Sequence, residues 1–337
     1  MCIRDRMYRV GLIGLEGHQG VILEGILRHG GSTLAAVAGG SEAAIRTLRN
    51  HRAVTAETRF YDDYREMLAE EKLDIVGICN PNSEHAEAII SCAEAGVHII
   101  SEKPLTTTLE DLGRVREAIL RSGVKMTMML TMRFEPAYKL MRELVMGGEI
   151  GEPILAFGQK SYRLGVRPEW MKRRETFGGT IPFIGVHLLD LIRWITGREF
   201  VEGIAYHSNI AHPEVGEMED NAGILLKLDS GGTAAITLDY LRPMSAPTHG
   251  DDRLRIAGGR GVIEALDNGS RVVLITPERG VRELELPEGE SLYLDFIESI
   301  EKDRPPKVTP EDAFRITEVA LKLRDSADRR EKVSLST

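Results

Sequence analysis

The chain has 337 residues, room for about two domains of ordinary size, and its 42% hydrophobic content can fill a core in each. A formal net charge of −9 argues against a general nucleic-acid binder, and no apolar run approaches the roughly 18 residues of a membrane span. The cysteines Cys2, Cys79 and Cys92 form no CxxC or Cys/His cluster, so no metal site is expected and reduced thiols in a cytoplasmic protein are the plain reading.

Residues 1–6 are too short and too charged for a signal peptide and read as a non-native leader ahead of Met7. Residues 8–14 form a largely apolar strand that runs into Gly14, Gly17 and Gly20, and a helix with Val21, Leu23, Ile26 and Leu27 follows. A second strand spans about 33–38, and Ser41 is placed to cap a helix over 42–48. The run Asp74–Cys79 suits a strand covered on both faces. Beyond Asn80-Pro81, Ala86, Ile89, Ile90 and Ala93 share one helical face, and 97–100 is the next strand. Thr107 and Glu110 are expected to form a capping box for the helix carrying Leu112, Val115 and Ile119, and 125–130 reads as the last strand of this half.

Strands and helices alternating at these spacings imply a parallel, doubly wound sheet, a Rossmann-type domain over 7–130. The pattern then changes. Residues 223–229 and 233–239 alternate apolar with polar, as strands of an antiparallel sheet with one solvated face do. Thr309-Pro310 opens a final helix with a cap and an N1 proline. The second domain, 131–337, is therefore expected to be α/β with an open, mainly antiparallel sheet.

A dinucleotide site needs a strand, a tight turn that lets backbone approach the pyrophosphate, and a helix N-terminus to offset its charge. The turn Gly14, Leu15, Glu16, Gly17, His18, Gln19 and Gly20 meets this in the spacing GxxGxxG, one residue off the usual GxGxxG. NAD sites usually carry Asp or Glu at the end of the second strand, hydrogen-bonded to the ribose diol. Here the stretch is Ala38-Gly39-Gly40-Ser41, which removes a repulsion against a 2′-phosphate. Ser41, Arg46 and Arg49 can assist that phosphate, so NADP is expected in preference to NAD.

Ser101-Glu102-Lys103-Pro104, between a strand and a helix, resembles the glucose–fructose oxidoreductase / inositol dehydrogenase / MocA family. Asn80-Pro81 through His85, Arg133-Phe134, the segment 147–153, Gly178-Gly179 through Gly185-Val186-His187-Leu188-Leu189-Asp190, and Thr309-Pro310-Glu311-Asp312-Ala313 resemble other segments of that family, in the family's order. The resemblance implies an NAD(P)-dependent oxidoreductase acting on a secondary alcohol of a sugar or polyol. It implies no metal, and a homodimer or homotetramer built through the C-terminal sheet. It also assigns Asn80, Pro81, His85, Glu102, Lys103 and Arg133 to the cofactor side, and Trp170, Phe183, Lys103 and His187 to the substrate side.

Moving a hydride from an alcohol carbon requires a group to take the hydroxyl proton. By the resemblance that group is Lys103, whose pKa a neighbouring cationic nicotinamide and partial desolvation are expected to lower. His187 is the second acid–base residue, and Asp190, three residues on, is expected to fix its tautomer. Phe183 stands where many family members carry an aspartate, four residues before the histidine. That departure leaves two alternatives open: an enzyme using a retained cofactor for elimination or glycoside cleavage, and a non-catalytic cofactor-binding regulator. The basic stretch Lys172-Arg173-Arg174 is either a solvated face or a partner for a substrate carboxylate or phosphate.

Overall fold

The structure, a computed structural model, describes residues 7–336, so the leader expected at 1–6 lies outside the described residues. The chain forms two compact units, 7–129 with 291–317 and 130–290 with 318–336.

In the first unit, strands Tyr8–Ile13 (β1), Ser32–Ala38 (β2), Arg59–Tyr61 (β3), Ile75–Ile78 (β4), His98–Ser101 (β5) and Met126–Met128 (β6) form one sheet in the order β3-β2-β1-β4-β5-β6. All its pairings are parallel. Between the strands run helices Gln19–His29 (α1), Glu42–Leu48 (α2), Tyr64–Glu70 (α3), His85–Glu94 (α4) and Leu109–Ser122 (α5). Every residue of β4 is buried, the mark of a strand covered on both faces.

Ser41 caps α2 as expected, its hydroxyl accepting the Ala44 amide at 3.2 Å. The cap of α5 is one residue later than expected: Thr108 Oγ1 accepts the Asp111 amide at 3.1 Å, and Thr107 lies buried before it. β3 and α3 have no counterpart in the sequence reading, because three residues at a sheet edge are too few to display a period.

In the second unit, helices Pro136–Met146 (α6), Arg174–Phe177 (α7) and Val186–Thr196 (α8) accompany a nine-stranded sheet. Its strands are Pro153–Tyr162 (β7), Phe200–Ser208 (β8), Asn221–Leu228 (β9), Thr233–Asp239 (β10), Gly250–Gly258 (β11), Gly261–Leu266 (β12), Arg271–Thr276 (β13), Gly280–Leu284 (β14) and Val333–Ser334 (β15). The order is β14-β13-β12-β11-β7-β10-β9-β8-β15, antiparallel throughout except where β7 meets β10. Ile224, Leu226 and Leu228 of β9 and Ala234, Ile236 and Leu238 of β10 are buried while their alternates face outward, as the period-two pattern requires.

Helices Leu292–Glu301 (α9) and Pro310–Arg329 (α10) lie between β14 and β15, and α9 belongs to the first unit. Gly25 of α1 explains that return: a Cβ there would stand 2.3 Å from Tyr293, so only glycine admits the ring, whose hydroxyl donates to Ser32 Oγ at 2.8 Å. Thr127 Oγ1 donates to the Val308 carbonyl at 2.9 Å and fastens the same segment to β6. The expected contiguous second domain 131–337 thus differs from the observed unit by the segment 291–317.

Candidate functional site

The glycine turn follows β1. Gly14 has φ +75°, and a Cβ on it would lie 2.4 Å from the backbone N and Cα of Asn80, so the two loops touch main chain to main chain. A Cβ on Gly17 would meet Glu102 Oε1 at 2.6 Å, whereas Gly20 faces open space and answers no packing demand. The N-cap residue of α1, His18, makes no side-chain cap bond, and the first turn carries no acidic residue.

Glu102 is the centre of this arrangement. It is buried and accepts the His18 amide, the His18 ring Nδ1–H at 2.5 Å, and the Lys103 amide at 3.1 Å. Burial alone would raise its pKa, but the bonds from His18 and the charge of Lys103 hold it down to about 2. Lys103 is only 3% exposed. His85 is fully buried, with Nδ1 2.7 Å from the Pro104 carbonyl and Nε2 2.9 Å from the Asn80 carbonyl, so it ties the loop after β4 to the loop after β5. Burial pushes its pKa down, which favours a neutral ring donating to one carbonyl.

Asn80 donates to Glu84 Oε2 at 3.2 Å while its buried Oδ1 has no partner, and the same holds for Gln19 Oε1. Glu16 Oε2 accepts the Leu15 amide at 2.8 Å, and burial raises its pKa. Beside the turn lies a cleft of 480 Å³ walled by Leu15, Gln19, Leu23, Ala44 and Leu48. Of the groups expected to favour a 2′-phosphate, Ser41 caps α2 and the Arg49 guanidinium lies 3.8 Å over the Phe60 ring, which leaves Arg46 exposed on α2. Pro81, with ψ 146°, directs the chain into the turn Asn82–Glu84 ahead of α4.

In the second unit a π-helical turn, Ile181–Gly185, runs directly into α8. From Thr180 to Ile192 every residue is buried except Phe183 and His187, which therefore share the accessible face. The Phe183 ring is 5.0 Å from Phe177, itself 6.3 Å from Trp170. Asp190 is held by Arg133: its two carboxylate oxygens accept from Arg133 Nε and Nη2 at 2.8 and 2.5 Å. Both side chains are 2% exposed, so this is a buried bidentate pair.

Two residues of the basic stretch are paired within the second unit, and Arg173 between them is exposed. Lys172 pairs with Glu169 at 2.5 Å, and Arg174 pairs with Glu219 and Asp328. Glu219, missed by the sequence reading, also accepts the Thr180 amide at 2.8 Å and so anchors the start of the π-turn. No sequence motif marks it. Among the described residues no group of three or more His, Cys, Asp or Glu could hold a metal ion.

Residues 8–130 match the oxidoreductase family with an NAD-binding Rossmann fold, and residues 138–264 match the GFO/IDH/MocA C-terminal domain. The chain belongs to this family. A solved oxidoreductase from Thermotoga maritima is 36% identical over 97% of this chain and 99% of that one, with a TM-score of 0.90. The myo-inositol 2-dehydrogenase of Thermotoga maritima is 27% identical, covering 97% of this chain and 98% of its own. The scyllo-inositol 2-dehydrogenase (NAD(+)) of Bacillus subtilis is 27% identical over 78% of each. The protein is accordingly an NAD(P)-dependent oxidoreductase of the Gfo/Idh/MocA type, a Rossmann unit joined to a mainly antiparallel α/β unit. The residues present fit a dinucleotide: main chain meets main chain at Gly14, and Asn80 Oδ1 and Gln19 Oε1 are buried acceptors without a partner.

Proposed function

We propose that this protein transfers a hydride between a nicotinamide dinucleotide, NADP in preference to NAD, and a secondary alcohol of a sugar or polyol. The observation that carries the reading is Lys103, a nearly inaccessible cation on the loop that contributes Glu102 to the glycine turn. The bound cofactor supplies the hydride-accepting or hydride-donating carbon. Gly14, Leu15, Gly17, His18 and Gln19 hold its diphosphate side, Asn80 and Pro81 line the neighbouring loop, and Glu16 and Ser41 border it. Ionised Glu102 fixes the Lys103 loop through the Lys103 amide. The neutral amine of Lys103 takes the substrate hydroxyl proton in oxidation and its ammonium returns a proton in reduction, and His187 is the second acid–base residue.

Phe183 offers no proton acceptor, so it shapes the pocket with Trp170 and Phe177 instead. Arg133 acts at one remove, by clamping the helix that carries His187 through Asp190. Arg46 is the cation offered to a 2′-phosphate. The outer face of the second sheet joins copies into a homodimer or homotetramer. The free, buried thiols Cys79 and Cys92 suit the cytoplasm.

The test is Lys103→Met. Turnover, followed by reduced-nicotinamide absorbance across a sugar and polyol screen, should fall by about 10²–10⁴. Fluorescence titration should still show binding, with NADPH tighter than NADH in both wild type and variant. Wild-type rates in the variant refute the role of Lys103, and tighter NADH refutes the role of Arg46. The second reading, elimination with a retained cofactor, is favoured by Phe183; product formed without net absorbance change identifies it.

A further inference from the structure

Among the described residues the second unit holds a set of hydrogen-bond donors with nothing to donate to. Arg163 Nε, Arg167 Nε, Trp170 Nε1 and the Tyr240 hydroxyl are all buried atoms without a partner. Tyr240 is 1% exposed, and the Arg167 guanidinium lies over its ring at 4.5 Å. Arg163 bridges Leu241, the neighbour of Tyr240, and its amide donates to the His249 carbonyl at 2.9 Å. The same patch carries Tyr162, stacked on His249 at 5.3 Å and 6.4 Å from Tyr240.

Carboxylates of the same unit have other partners, Asp239 among them, which accepts from the Ser161 hydroxyl at 2.7 Å and the Leu241 amide at 3.0 Å. Glu169 holds Lys172, Asp251 holds Arg253 at 3.0 Å, and Glu219 holds Arg174 and His207. Neither Arg163 nor Arg167 forms an ion pair among the described residues. A half-buried cation without a counter-ion is costly to keep, and buried donors without acceptors add to that cost. Burial lowers the Arg167 pKa, with the Tyr240 phenol countering it. Hydroxyl groups of a neutral sugar can satisfy the donors but cannot offset the charge. A carboxylate does both, since its two oxygens match the guanidinium fork.

We infer that the substrate is a sugar or polyol bearing a carboxylate, which Arg167 pairs with and Tyr240 hydrogen-bonds. This rests on the second unit being the substrate-binding half of the proposed enzyme, but not on which reaction it performs. It also reassigns the anion-binding part that Lys172-Arg173-Arg174 was a candidate for.

The experiment is calorimetric titration of the protein, saturated with NADP, with D-glucuronate, D-gluconate, D-glucose 6-phosphate and the neutral D-glucose and D-glucitol. At least one of the two acids should bind at least about tenfold tighter than its neutral counterpart, a difference typical of one charge-assisted bond. Arg167→Met should abolish that preference, and Arg167→Lys should restore part of it. Because Arg167 has no ion pair to lose, thermal unfolding of the Met variant should match or exceed wild type, which separates lost recognition from lost folding. Equal binding of acid and neutral sugars, preference for the phosphate, no binding by either acid, or an unchanged preference in Arg167→Met each overturns the inference. Binding of acids without any change in nicotinamide absorbance would leave it standing and refute the dehydrogenase reading instead.

Discussion

Glu102 shows how one side chain can serve several parts of a site. Its carboxylate occupies the space that Gly17 leaves open, receives the amide of His18, the N-cap residue of α1, and orders the peptide that leads into Lys103. Its pKa is about 2 against an ordinary 4.5, because His18 and Lys103 outweigh the burial that would raise it. A depressed carboxyl contributes stability that is complete above the unfolded value and is lost as pH falls from about 4.5 towards 2, at most about 3 kcal/mol. Glu102→Gln should therefore be clearly less stable than wild type in urea at about pH 6, with the gap narrowing at about pH 3. A gap of constant size across that range would show that the interaction is not one of charge.

At the scale of elements, the helix ends decide small but measurable energies. The cap of α5 is Thr108 with Asp111, and the Thr107–Glu110 pair expected from spacing is displaced because Thr107 is drawn into the core. Thr108→Ala should cost about 1 kcal/mol in thermal unfolding, the usual worth of a threonine cap. Glu110→Ala, at an exposed position of the first turn, should change stability by less than about 0.5 kcal/mol. The reverse order would restore the box at Thr107. The π-turn ahead of α8 is the other consequential element: its extra residue per turn, with Glu219 holding Thr180, leaves Phe183 and His187 as the accessible pair in a buried segment.

For the whole molecule, the outer face of the nine-stranded sheet is the feature that calls for a partner. Register aligns Phe157, Ala235 and Leu225 in one row across β7, β10 and β9, with Phe157 37% and Leu225 54% exposed. Tyr206, also exposed, lies in the next row on the same face. An apolar row of this kind on a twisted sheet suits self-association through a closed two-fold contact. Light scattering should report a homo-oligomer for the wild type and a smaller species for Phe157→Glu with Leu225→Glu. An unchanged mass in that variant would place the contact elsewhere.

What the amino-acid sequence determined by itself was whatever depends on neighbours along the chain. The period of β9 and β10, the caps at Ser41 and Thr309, and the glycine turn ahead of α1 were all legible there. So was the family, because its motifs are short runs in a constant order. Tertiary structure decided the partners of charges. Asp190 reaches Arg133, 57 residues away, and Arg174 reaches Asp328 across 154 residues. It also returned 291–317 to the first unit through Tyr293 and Gly25, and left Arg167 without a counter-ion. A Coulomb or hydrogen-bond partner is chosen by which elements fold side by side, and no local period records that choice.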